Sequence, residues 1–149
     1  MICYFAYGSN MDPDRMHERG VVFASRRSGI LEDHALVFNK TSANARMGYA
    51  SIVPLAGSWV EGVVYTLDDA DIHKLDTYED YPVQYGRYPM EIVLRDGSKT
   101  ICFVYVALSD KVKEGLKPSA SYLAHLLKGR DCLSEEYFNK LLGIQTLLD

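Results

Sequence analysis

The chain has 149 residues, 48% hydrophobic and 24% charged, an ordinary soluble-domain composition with room for one packed core, read as a single domain over 1–149. Sixteen basic against 20 acidic residues give a formal charge of −4, the wrong sign for a protein whose work is neutralising phosphates, so no nucleic-acid partner is expected. Cys3, Cys102 and Cys132 form no zinc-spaced or Cys-x-x-Cys motif, and the first apolar stretch ends at Gly8, too short for a signal peptide or a membrane span. A reducing cytoplasm, no membrane, and no metal or cofactor are expected.

Ile2 to Tyr7 is β-branched and aromatic enough for a buried strand, and Gly8-Ser9-Asn10 stops it. Asn10 or Asp12 then caps a short helix with Pro13 in its first turn, running to Gly20. Arg26-Arg27 reads as a solvated turn. Leu36 to Phe38, Ala50 to Val53 and Trp59 to Leu67 are further strands, punctuated by Gly48 and Gly57.

Asp68 is placed to cap a helix whose first turn carries Asp69 and Asp71, where the helix dipole favours acids. Ile72, Leu75 and Glu79 fall at i, i+3 and i+7, so a carboxylate lies on the stripe that two aliphatic side chains bury. Pro82 ends the helix soon after, leaving Glu79 at the negative end of the dipole. Burial, the dipole and nearby tyrosines all push its proton affinity up, as a general acid/base near neutral pH requires. The other reading of the same phase is a frayed helix end at which Glu79 swings aside to pair with Arg87 or a lysine.

Tyr88 to Arg95 and Lys99 to Ala107 flank Asp96-Gly97, a hairpin turn in which both residues tolerate positive φ. After Pro118, Tyr122, Leu123, Leu126 and Leu127 repeat at helical spacing up to Gly129, and Tyr137, Phe138, Leu141 and Leu142 repeat between Ser134 and Gly143. The expected fold is α+β: a closed or strongly curved, mostly antiparallel β-barrel with short flanking helices.

The Gly8-Ser9-Asn10 turn can present successive backbone N–H groups to a small anion, or can be an ordinary strand-to-helix turn. It is neither a phosphate loop nor a nucleophile elbow, since Met11 stands where the second glycine would be needed. His17, His34, His73 and His125 include no His-x-x-x-His pair and read as surface or structural, with His73 facing solvent. Several of the 11 tyrosines converging on one pocket would supply hydroxyls to orient a polar ligand.

Tyr4-Phe5-Ala6-Tyr7-Gly8-Ser9-Asn10, Leu75-Asp76-x-x-Glu79 and Pro118-Ser119-x-x-Tyr122 together resemble the γ-glutamylcyclotransferase (AIG2-like) family over nearly the whole chain. The resemblance implies a closed barrel and an intramolecular cyclisation that releases 5-oxoproline and a free amine from a γ-glutamyl compound. It implies Glu79 as the catalytic acid/base and Tyr7, Gly8, Ser9, Asn10, Tyr88, Tyr105 and Tyr122 as substrate-binding residues. Because the nucleophile belongs to the substrate, no cofactor is implied; the partner is a small-molecule γ-glutamyl substrate, with a homodimer left open. Asp80 stands where many members have glycine, and the segment from Asp80 to Arg87 differs among them in length and content. Alternatives are a non-catalytic small-anion-binding module of the same fold and a hydrolase releasing glutamate.

Overall fold

The computed structural model describes residues 1–147. Its frame is a closed five-stranded barrel in the order β1-β3-β2-β4-β5, made of β1 (Ile2–Ala6), β2 (Phe23–Thr41), β3 (Gly48–Leu67), β4 (Tyr85–Leu94) and β5 (Lys99–Ala107). All neighbouring pairs are antiparallel except β1 and β5, whose parallel pairing at Tyr4 and Phe103 closes the ring. The expected barrel is therefore present.

β1 is apolar throughout because both of its faces are covered. Phe5 and Tyr7 join Leu31, Val64, Ile92 and Val104 in a core cluster drawn from all five strands, while Tyr4 and Ala6 face a second cluster shared with the helices. Such double coverage replaces the alternation of a half-exposed strand with a continuous apolar run.

β2 and β3 are much longer than the sequence suggested, forming one hairpin in which Arg26 pairs with Tyr65 and Thr41 with Gly48. Arg26-Arg27 is thus strand, not turn. Its first half lacks apolar alternation because Arg26, 11% exposed, is held by charge and hydrogen bonds: it donates to the Asp131 carboxylate at 2.6 Å and to the Met11 carbonyl at 2.7 Å. Gly57 does not end a strand either. It sits at φ +83° in a bulge opposite Asp33, at φ +59°, and donates its N–H to the Asp33 carboxylate at 3.0 Å.

Four short helices flank the barrel: α1 (Pro13–Glu18), α2 (Ile72–Glu79), α3 (Ala120–Leu127) and α4 (Glu135–Leu142). Asp12, Ser119 and Ser134 cap α1, α3 and α4 through side-chain oxygens that accept from Asp14, Tyr122 and Tyr137 N–H groups. Asp68 caps nothing with its side chain; a 3₁₀ turn over Asp69–Asp71 intervenes before α2. Leu75 is fully buried, and packing a leucine in this way contributes about 1.5–3 kcal/mol. No helix among the described residues is long and apolar enough to cross a membrane.

Candidate active site

Where β1 leaves the barrel, the chain turns through a 3₁₀ segment, Ser9–Met11, beside the last turn of α2. A cavity of about 230 Å³ opens there, lined by Tyr4, Tyr7, Tyr85, Tyr105, Tyr122 and the turn Gly8-Ser9-Asn10, with Glu79 on its wall. With Tyr49 and Tyr78 at its lining as well, seven tyrosines converge on one pocket, and the first five are buried. Burial raises the proton affinity of each of those five phenols, so each stays a neutral hydroxyl.

Glu79 is the final residue of α2 and points inward, its side chain 19% exposed. Its Oε1 accepts from the Asn10 Nδ2 at 3.3 Å and lies 3.5 Å from the Arg19 guanidinium. No described residue donates to Oε2, which is left open to the cavity. Burial pushes the Glu79 carboxyl above the ordinary carboxylate range, and the opposing positive charges of Arg19, Arg15 and Lys40 do not cancel that effect. The alternative in which Glu79 swings out to Arg87 is not what forms, because Arg87 is taken by the Asp76 carboxylate.

That ion pair positions the helix. Asp76, one turn before Glu79, receives Arg87 from β4 on one oxygen and the Tyr105 hydroxyl from β5 on the other, at 2.7 Å. Tyr105 in turn accepts the Tyr7 hydroxyl on its backbone carbonyl. The helix end is thus tied to two strands, and the chain leaves it through Asp80 at φ +52°, ψ +49°. This is the left-handed conformation that glycine adopts freely and aspartate tolerates better than most side chains.

Asn10 ties the turn to α1, α2 and the barrel wall. Its Oδ1 accepts from Arg19 at 3.0 Å, its Nδ2 also donates to the Tyr4 hydroxyl at 3.0 Å, and its carbonyl accepts from Tyr65. That leaves its backbone N–H, with those of Gly8 and Ser9, lacking a described acceptor and grouped beside the cavity. Tyr122 accepts the Ala50 N–H at 3.1 Å, which leaves its own proton free to donate. Its oxygen stands 3.3 Å from where a Cβ on Gly8 would be, so glycine there is what lets turn and phenol approach.

Three comparisons bear on what this arrangement belongs to. Residues 4–124 match the family model described as gamma-glutamyl cyclotransferase, AIG2-like. The human protein named gamma-glutamylcyclotransferase is 30% identical across 95% of this chain and 78% of its own length, and the bovine protein of that name is 31% identical over the same shares. A solved structure titled gamma-glutamyl cyclotransferase superposes with a TM-score of 0.85 at 27% identity, covering 98% of this chain and 89% of the other. The chain belongs to this family. Its place among proteins so named makes it an enzyme of the gamma-glutamylcyclotransferase kind.

In this gamma-glutamylcyclotransferase relative, the structure gathers Tyr7, Gly8, Ser9, Asn10, Glu79, Tyr105 and Tyr122 at one cavity. It does not bring Tyr88 there: that side chain is 47% exposed and lies against Gly86. Tyr88 lies within β4, paired with Val104, and its ring folds back over Gly86 instead of entering the pocket. The sequence reading missed Arg15, Arg19 and Lys40, which line the same cavity. Arg15 and Arg19 stand four apart at the end of α1, a spacing that puts both on one face just after the turn, and this signal was available. Arg15 also contacts His125, which is held against Asp12 at 2.9 Å, a structural role for that histidine. His73 is 76% exposed, as expected.

Proposed function

We propose that the chain is a γ-glutamyl cyclotransferase in which Glu79 moves the proton. The observation that carries this reading is an enclosed carboxyl with one free oxygen, of raised proton affinity, sharing a small cavity with three free backbone N–H groups. A γ-glutamyl compound bound there has its α-ammonium within reach of Glu79. The carboxylate takes one proton, freeing the amine to attack the substrate's own γ-carbonyl carbon. The new ring C–N bond forms and the γ-amide C–N bond breaks as Glu79 returns that proton to the departing nitrogen. The ring nitrogen loses its second excess proton to water, giving 5-oxoproline and a free amine.

The N–H groups of Gly8, Ser9 and Asn10, with the Tyr122 hydroxyl, are the donors for the substrate's α-carboxylate or for the carbonyl oxygen as charge develops on it. Tyr7 and Tyr105, whose hydroxyls are committed to a backbone carbonyl and to Asp76, shape the wall. The three cysteines carry free thiols, which supports a reducing, cytoplasmic address.

The test is product analysis by mass spectrometry over a panel of γ-glutamyl amino acids, amines and glutathione. 5-Oxoproline in step with free amine is expected. Glutamate in its place would mean hydrolysis by water, and neither product would leave only a binding module.

A further inference from the structure

Cys3 and Cys102 take no part in the reaction proposed above, yet the barrel sets them side by side. β1 and β5 are the parallel pair that closes the ring, in register at Tyr4 and Phe103. One step back along both strands, the same register places Cys3 opposite Cys102. Their side chains also share a direction: Cys102 belongs to the core cluster drawn from all five strands, and Cys3 packs against that cluster. Cys132 belongs to the cluster shared with the helices, where its Sγ accepts from Arg26 at 2.9 Å.

Neighbouring strands lie about 4.8 Å apart, and a disulfide joins residues whose Cα atoms are about 4.4–6.8 Å apart with both Cβ atoms turned to one side. This pair meets both conditions without a change of register. The two thiols differ in access. Cys102 is 1% exposed; burial and the neighbouring Cys3 thiol push its thiol up to about 12, against the opposing charge of Arg27 from β2. Cys3 is half-buried, so it is the sulfur that a reagent from solvent meets first. Further along the same two strands the Tyr7 hydroxyl donates to the Tyr105 carbonyl, so the seam that the cysteines flank leads to the cavity wall.

We propose that Cys3 and Cys102 are a redox modification site, a thiol pair that an oxidising small-molecule disulfide converts into a reversible bond across the closing seam of the barrel. The Cys3 thiolate attacks one sulfur of the reagent, forming a mixed disulfide and expelling one reagent thiolate. The Cys102 thiolate then attacks the Cys3 sulfur, forming the Cys3–Cys102 bond and expelling the second reagent thiolate. The protein gives up two electrons, which reduce the reagent's S–S bond, and the two thiol protons pass to the expelled thiolates. The new bond closes a loop of about 100 residues in the unfolded chain and stabilises the fold by restricting that chain.

The test treats the native full chain with hydroxyethyl disulfide, a reagent without a γ-glutamyl group, then alkylates the remaining thiols in urea and maps tryptic peptides without reduction. The three cysteines fall on separate tryptic peptides, so the bond is read directly as residues 1–15 joined to residues 100–111. That link is expected, released by dithiothreitol, together with a Tm raised by roughly 5–15 °C over the reduced chain. Cys3→Ser should lose both the link and the rise, and Cys132→Ser should keep both. A native chain that stops at a reagent adduct on Cys3, with Cys102 still alkylated, overturns the proposal. So does a link through Cys132, a link that forms only in urea, or a Cys3–Cys102 link that fails to raise Tm. Neither readout uses cyclisation, so the outcome is independent of the cyclotransferase reading.

Discussion

Replacing Asp76 with alanine separates the helix that carries Glu79 from the strands that aim it. Asp76 is 13% and Arg87 18% exposed, and the carboxylate accepts from both Arg87 and Tyr105. Two hydrogen bonds to a charged group, each worth about 1.5–3 kcal/mol, set an upper sum of about 6 kcal/mol; partial exposure of the pair brings the expected loss to about 3 kcal/mol. For a chain of this length that is a fall in Tm of roughly 6–12 °C, within the margin of a domain stable by about 5–15 kcal/mol. Activity should fall further than stability implies. A drift of about 1 Å in a reacting group costs on the order of 100-fold, so kcat in the folded variant is expected to drop by about that factor with KM changed little. Urea unfolding followed by circular dichroism gives the first number and 5-oxoproline release the second. A variant with wild-type kcat would refute the claim that Asp76 holds Glu79 in place, whatever its stability.

Three further outcomes follow from the same geometry. Gly8→Ala adds a Cβ 3.3 Å from both the Ala50 Cβ and the Tyr122 oxygen, at a negative φ that any residue adopts, so the fold should survive with about 1 kcal/mol lost. Because the phenol must give way, kcat/KM should fall by roughly tenfold, and an unchanged value would remove the turn from the substrate's path. The pH dependence of stability has a definite sign: the folded chain holds the Glu79 proton more tightly than the unfolded chain. Its favourable contribution is complete below the ordinary glutamate value of about 4.3 and is lost as pH rises through the higher folded value. The Tm of Glu79→Gln minus that of wild type should therefore grow more positive as pH is raised through that window; a gap that shrinks would contradict a raised proton affinity. The acid limb of kcat/KM should turn at the same elevated pH.

How far the site was legible depended on whether one element or several made it. The inward turn of Glu79 was readable because Ile72, Leu75 and Glu79 share a helical face, and the Asp96-Gly97 hairpin because its turn chemistry is local. The first half of β2 was not readable, since Arg26 is covered through the Met11 carbonyl and through Asp131 and Cys132, more than 100 residues away in sequence, not through apolar alternation. Lys40 gave no sequence signal: Asn39-Lys40-Thr41 looks like a solvated strand end, and only the barrel brings Tyr85 and Glu79 around it. Tyr88 shows the converse, a residue of the right type and order whose ring stops short of the cavity.

In the proposed reaction one carboxyl carries the proton between the substrate's two nitrogens. The most direct measurement of that step is 5-oxoproline release by Glu79→Gln, a change that keeps shape and removes the titrating group, alongside a circular dichroism spectrum to establish the fold. The expected result is a native spectrum with kcat reduced by about 10²–10⁴-fold. A natively folded Glu79→Gln that cyclises within a fewfold of the wild-type rate would contradict it.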